Sequence, residues 1–410
     1  HAIINTVNEI SLTRKEMKTM SENKHLKPSL FLSKSLVIRG MGCHKALYFH
    51  KYRTELRDEL SEDAEKRFET GYRVGDLALE LFPGGAMVPY DGFSIREQIE
   101  KTASLIREGC TTVYEAAFSF NDVFVKTDIL HKSDAGWEIY EVKSSTGVKE
   151  YHVLDAAVQY HVITGCGLPV SRVCVVHVNN EYVRSGDIDV TGLLYKEDIM
   201  DVVREKQDSI TEEIDQLRIM LKGDEPVIDI GPHCGMYYPC DFEGHCWSNI
   251  PERSVFDVRG RFDRRFDLYR SGIVSMFDIP RENLSWKQSL QIELAETQGF
   301  HCDPQAVADF LDSLWYPLYF FDFETFMEPL PPYDGIRPYQ QVPFQYSLHY
   351  LEQRDGELNH YEFLALPGTD PRRDLIEKLA AEIPDHACVL AYNKGFEIGR
   401  LRDLASWFPE

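Results

Sequence analysis

The stretch from Val113 to Lys143 constrains the fold more than any other. Val113 to Phe120 alternates apolar with polar residues, and Val123 to Leu130 repeats the pattern. Ser133-Asp134-Ala135-Gly136 then supplies a turn into Trp137–Lys143. A period of two means strands, and the short turn means that neighbouring strands pair. Side chains two apart share a face, so Glu141 and Lys143 project together. Asp128 lies on the preceding strand and comes alongside them. Two carboxylates and an ammonium at one point suit hydrolysis: the acids offer hard oxygen ligands to Mg2+ or Mn2+, and the lysine orients water or steadies charge. Glu-x-Lys on a solvent-facing strand is by itself commonplace, and the reading rests on the ordered set around it.

Outside this stretch the pattern mixes strands and helices. Phe31 opens an apolar region that leads through Gly40-Met41-Gly42-Cys43 into helix up to about Leu81, where Phe82-Pro83-Gly84-Gly85 ends it. Helices are expected over 93–109, 149–164 and 196–222, with a buried strand over 170–178. Pro232 to Trp247 reads as a cysteine-bearing loop and 256–312 as mostly helix. A second β region follows, with strands over 317–324, 344–351 and 387–392, a proline-rich loop (Pro329, Pro331, Pro332, Pro338), a helix over 370–382 and another from Phe396. The expected division is a polar tail over 1–30, a nuclease-like domain over 31–255, a helical connector over 256–312 and a last domain over 313–410. At 410 residues the chain has length for two or three domains.

Charge narrows the function. Forty-four basic against 67 acidic residues leave −23, which excludes a chain that coats nucleic acid through its overall field. Contact with DNA has to come from local patches or through cations. Arg259, Arg261, Arg264, Arg265 and Arg270 form such a patch, interleaved with Phe262, Phe266 and Tyr269. The aromatics share one helical face, which fits core packing, and turn the arginines outward as a phosphate-tracking surface. No run of about 18 uncharged apolar residues exists, so no membrane partner is expected. The first residues lack the apolar core of a signal peptide, although the chain begins at His1 rather than Met. Nine widely spread cysteines without that signal make a disulfide framework a poor expectation and point to metal-ligating thiols in a reducing cytoplasm. Cys110, Cys166, Cys174, Cys302 and Cys388 stand singly and read as buried thiols.

The ordered set Glu115, Asp128, Glu141-Val142-Lys143 and a following helix with Gln159 resembles the PD-(D/E)XK nucleases of the RecB type. The resemblance implies that Asp128 and Glu141 bind the metal, that Lys143 is catalytic and that Gln159 supports the site or the DNA. One departure stands out: where that family often carries a histidine before the sheet, Gly71-Tyr72-Arg73-Val74-Gly75 offers a tyrosine.

Cys234, Cys240 and Cys246 lie five residues apart in a loop rich in turn formers, and Cys43 at the start of a helix is the candidate fourth ligand. Zinc usually takes ligands two to four residues apart, so the gaps suit an iron–sulfur cluster at least as well. His233 and His245 compete as ligands, and isolated thiols are the plain alternative. One cysteine before the nuclease core and three after it resembles the cluster-bearing RecB-type nucleases of the AddB and CRISPR-associated sort. That resemblance implies a structural [4Fe–4S] cluster on Cys43, Cys234, Cys240 and Cys246.

Phe320-Phe321-Asp322-Phe323-Glu324-Thr325 reads as a buried strand with two acids on one face, a costly arrangement unless cations compensate it. With Ala391-Tyr392-Asn393-Lys394-Gly395-Phe396-Glu397 it resembles the first two motifs of DnaQ-like 3′–5′ exonucleases, with Glu397 where Asp is usual. The resemblance implies a second Mg2+ or Mn2+ site at Asp322, Glu324 and Glu397, flanked by Asn393. The third motif would fall beyond Glu410, so this half is expected to be incomplete. Both halves in this order, with Phe82-Pro83-Gly84-Gly85, Glu141-Val142-Lys143-Ser144-Ser145 and Asp322-Phe323-Glu324-Thr325, resemble an uncharacterised bacterial family.

The expected fold is therefore α/β: a restriction-endonuclease-like mixed sheet flanked by helices, a helical connector and an incomplete RNase H-like domain. The expected function is a metal-dependent nuclease acting on single-stranded DNA or DNA ends, with repair or defence proteins as partners. A catalytically decayed, cluster-stabilised DNA-binding module is the alternative, and a zinc-bound scaffold a third.

Overall fold

A computed structural model describes residues 30–59, 62–90 and 92–409, so the expected tail over 1–29 lies outside the described residues. The chain is mixed α/β and builds two sheets. The first has seven strands: β1 (Leu32–Ser33), β2 (Ala86–Met87), β3 (Thr112–Phe120), β4 (Val123–Ser133), β5 (Gly136–Lys143), β6 (Val170–Val178) and β7 (Leu194–Asp198). Strands β3, β4 and β5 run antiparallel, as the turns require, and β6 returns parallel to β5 through the helix Glu150–Gly165.

Both faces of this sheet are covered. Trp137 and Ile139 pack under the helix Glu150–Gly165, with Val153, Val158 and Val162. Tyr140 lies on the opposite face against Val74, Ala78 and Phe82, at the end of the helix Glu62–Ala78. Each such apolar side chain stabilises the fold by roughly 1.5–3 kcal/mol on burial. Two-sided burial is why β6 reads as the continuous apolar run Val173-Cys174-Val175-Val176.

Several expected elements differ in the structure, among them the loop over 232–247, which ends in the short helix Glu243–Trp247. The first helical region breaks at Cys43, which adopts extended backbone (φ −161°, ψ 115°) between the helices Lys34–Gly42 and His44–Tyr52. The start of the expected 196–222 helix is instead the end of β7, whose residues Tyr195–Asp198 pair with β6, and the helix Gln207–Lys222 follows. The expected connector carries a small core of its own, built by Val255, Val258, Met276, Ile279 and Ile292.

The second sheet has the order β10 (Asn359–Leu364), β9 (Val342–Leu351), β8 (Leu318–Phe326), β11 (Cys388–Leu390). Tyr319, Phe321 and Phe323 of β8 pack with Tyr346, Leu375, Leu379 and Leu404, so the helices Arg372–Glu382 and Lys394–Trp407 cover that face. The proline-rich loop after β8 reaches the first sheet. Tyr339 Oη donates to the Ser144 carbonyl, Arg184 Nη1 donates to the carbonyls of Pro331 and Pro332 at 2.9 and 2.7 Å, and Arg73 pairs with Glu328 at 2.7 Å. Among the described residues no helix is long and apolar enough to cross a membrane.

Candidate active site and cysteine centre

One edge of β4 is shared by two strands. Strand β1 takes Val123 and Phe124 in parallel, while β5 takes Ile129 to Ser133 in antiparallel register. Between them the edge is unpaired, and Asp128 stands at the fork. Its Oδ2 accepts a hydrogen bond from the Val142 amide at 2.6 Å, replacing the ladder contact that ends there. Glu141 follows on β5, with Oε1 accepting from Lys143 at 2.7 Å and Oε2 accepting from Gln159 at 2.6 Å. The sequence-predicted Asp128, Glu141, Lys143 and Gln159 are therefore brought to one place. They lie on a covered face of the sheet: Glu141 is 2% exposed and Gln159 fully buried.

Glu115 lies across from Asp128 in the register that pairs Tyr114 with Ile129 and Ala116 with Thr127. Its backbone is left-handed (φ 55°), unusual for a non-glycine residue, and its carboxylate pairs with Lys126 at 2.5 Å. Tyr72, on the helix Glu62–Ala78, is 62% exposed.

Two site residues escape a reading by spacing. Lys34 Nζ lies 2.9 Å from Glu141 Oε1 and 3.2 Å from Asp155 Oδ1, and Lys143 Nζ lies 2.7 Å from Asp155 Oδ2. Glu141, Lys34, Asp155 and Lys143 thus close a ring of alternating charge. Asp155 was legible in principle, since it sits four residues before Gln159 on one helix face, an acid within the apolar run Val153 to Val158. Lys34 carries no such signal.

The ring sets the protonation of its members and bears on Asp128 beside it. Burial favours neutral Glu141, yet Lys143 and Lys34 outweigh it and hold its carboxyl well below the usual range. Burial pushes Asp128 up to about 8, and the negative charge of Glu141 adds to the rise. Burial would lower Lys143, but Asp155 and Glu141 more than reverse it, so the ammonium keeps its proton.

The four cysteines also come together. Cys43, Cys240 and Cys246 pack around Ala46, Phe49 and Phe242. Burial pushes Cys240 up to about 11, and the neighbouring thiols of Cys43, Cys246 and Cys234 push the same way. The loop is pinned by Arg39 to Asp241 at 2.9 Å and by the Gly244 amide, which donates to Asp58 at 2.9 Å. Of the competing ligands, His233 Nε2 stands 3.9 Å from Cys234 Sγ, whereas the His245 ring packs on Phe49. All nine cysteines are free, and two expected to be buried, Cys166 and Cys302, are exposed. Among the described residues, no three His, Cys, Asp or Glu side chains close around a single ion as they stand.

The second constellation differs from its expectation. Asp322 and Glu324 are exposed, because β8 turns Phe321 and Phe323 to the core and its even positions to the open face. Burial therefore gives no argument for a cation there. Glu397, in the first turn of the helix Lys394–Trp407, is the buried acid, with Oε2 unpaired, while Asn393 is exposed. In the arginine patch, Phe266 is buried but Phe262 is 52% exposed. Arg264 Nη2 donates to the Asn283 carbonyl at 2.6 Å and Arg265 is half-buried, while Arg259, Arg261, Arg264 and Arg270 are exposed. Arg259, Arg261, Arg264 and Arg265 line one cleft beside Val255 and Leu268.

Comparison with known proteins adds little to this geometry. Residues 319–410 match a family model described as a domain of unknown function, DUF2779. No curated protein matches the chain. A solved structure titled "Crystal structure of SSO0001" aligns with 52% of this chain and 86% of its own, at 11% identity and a TM-score of 0.25.

Proposed function

We propose that the chain is a divalent-metal-dependent nuclease of the PD-(D/E)XK type that hydrolyses DNA phosphodiesters. The observation that carries the reading is the convergence of Asp128, Glu141, Lys143 and Gln159 at the fork in the β4 edge. Asp128 and Glu141 offer hard oxygen donors, a set that fits Mg2+ or Mn2+. A bound ion would polarise the phosphodiester and sharpen a water nucleophile. Lys143 keeps its charge and can orient that water or steady the developing negative charge. Gln159 fixes the rotamer of Glu141 through Oε2 and leaves its own Oε1 without a partner.

Cys43, Cys234, Cys240 and Cys246 would hold the iron–sulfur cluster, joining the first helical region to the loop that closes the domain. The sheet over 318–390 is read as DnaQ-like, with Asp322 and Glu324 on its open face. Cleavage of end-labelled or circular single-stranded DNA with Mg2+ or Mn2+ tests the proposal. Lys143→Ala should slow it by roughly a hundredfold or more, and Asp128→Ala should do likewise. Wild-type cleavage by both variants would reject the site.

The exposed arginines give a separate expectation. Arg259→Glu with Arg261→Glu should weaken DNA binding and flatten its salt dependence, because fewer counterions are then released. Unchanged binding would leave the 256–312 region a purely structural connector.

A further inference from the structure

We propose that Lys34 holds the place of the catalytic cation on Glu141 and must retreat onto Asp155 before an ion can bind. The inference rests on the metal-site reading above and concerns how that site is loaded. Its basis is the occupancy of Glu141: Oε1 is held by Lys34 and Lys143 and Oε2 by Gln159. Three donors leave about one of the carboxylate's roughly four acceptor sites open, on Oε2, so an ion shared with Asp128 through the doubly held Oε1 needs one of the two lysines to leave.

Lys34 is the donor built to leave. Lys143 shares the strand of Glu141, and Gln159 is fully buried on a helix packed over it. Both lysines are about a fifth exposed and both reach Asp155, Lys34 at 3.2 Å and Lys143 at 2.7 Å; what sets Lys34 apart is that it arrives from a separate helix, so it can withdraw without moving the strand that carries Glu141. Retreat therefore exchanges one carboxylate for another and strands no buried charge. The chain delivers Lys34 to this point deliberately. Strand β1 pairs Leu32 and Ser33 with β4, and Ser33 Oγ accepts from the Leu36 amide at 3.4 Å to start the next helix. Lys34 is then the first residue of that helix, where the dipole disfavours a cation. What offsets that disadvantage is the pair of carboxylates facing it. Asp155 in turn acts as the positioning residue for both lysines.

The test is Mn2+ binding to the substrate-free full chain, followed by the paramagnetic resonance of free Mn2+. Lys34→Met should bind Mn2+ at least about tenfold more tightly than wild type, since a like charge within a few ångströms no longer opposes the ion. Lys34→Arg, which keeps the charge, should stay near wild type. Glu141→Gln should abolish the tight site in both backgrounds. If Lys34→Met does not fold, Lys34→Gln, with its hydrogen-bond donor towards Asp155, is read in the same way. Unchanged or weaker binding in the Lys34 variants, with Glu141→Gln still abolishing it, would overturn the exchange and leave the nuclease reading standing. Mn2+ binding indifferent to Glu141→Gln would overturn both.

Discussion

Glu141→Ala should destabilise the metal-free protein by about 3–5 kcal/mol, because it leaves two ammonium groups with one buried carboxylate between them. Lys34 and Lys143 both rest on Glu141 Oε1, and the remaining partner, Asp155, is itself 3% exposed. For a unit of 150–250 residues the loss corresponds to a fall in Tm of roughly 6–20 °C, read by far-UV circular dichroism. The pair can be isolated by a double-mutant cycle. Glu141→Ala combined with Lys34→Met should recover part of the loss, with a coupling of at least about 1 kcal/mol. Strict additivity would show that the ring contributes nothing as a unit.

The pH dependence has a definite sign. The carboxyl of Glu141 is held below its ordinary 4.5, so its stabilisation is complete above that pH and is lost as pH falls through the lower folded value. Asp128 works in the opposite direction. With its pKa raised from 3.8 to about 8, it costs stability as pH rises through that interval. Acid should therefore destabilise wild type more steeply than Glu141→Ala.

Much of this site was legible because it is local. Asp128, Glu141 and Lys143 belong to two strands joined by one turn, and Gln159 to the next helix, so period and turn chemistry suffice to bring them together. Lys34 is 107 residues from Glu141 and is delivered by the two-residue strand β1, too short to show any period. The acids of β8 were placed on the correct strand and given the wrong surroundings. Phe320-Phe321-Asp322-Phe323-Glu324 reads as a buried strand because three phenylalanines flank its two acids, but Phe320 is 40% exposed and shares the open face with both acids. A one-sided sheet alternates, and the acids at even positions were the mark of that open side. The four cysteines converge from positions 43 to 246, which spacing alone could suggest only for the three in the loop.

Cys240→Ser and Cys43→Ser should have equal and large effects, although the two residues lie far apart in sequence. Both thiols pack on the same small core of Ala46, Phe49 and Phe242. If they share one cluster, losing either ligand releases the loop over 224–247 from the helices Lys34–Gly42 and His44–Tyr52. Binding energy at such a centre is folding energy, so each variant should unfold well below wild type and lose protection of that loop from protease. Cys110→Ser and Cys302→Ser, outside the group, should leave Tm and loop protection unchanged. Anaerobically purified wild type should be brown, with about four irons and four sulfides per chain. A colourless, zinc-loaded protein would reject the cluster while leaving the thiolate staple intact. The consequence reaches the carboxylate ring, because the helix that begins with Lys34 ends at Gly42, against Cys43. A loosened cysteine centre frees the far end of the element that sets Lys34 on Glu141. Cys43→Ser should for that reason also weaken the coupling between positions 34 and 141, whereas Cys110→Ser should leave it as in wild type.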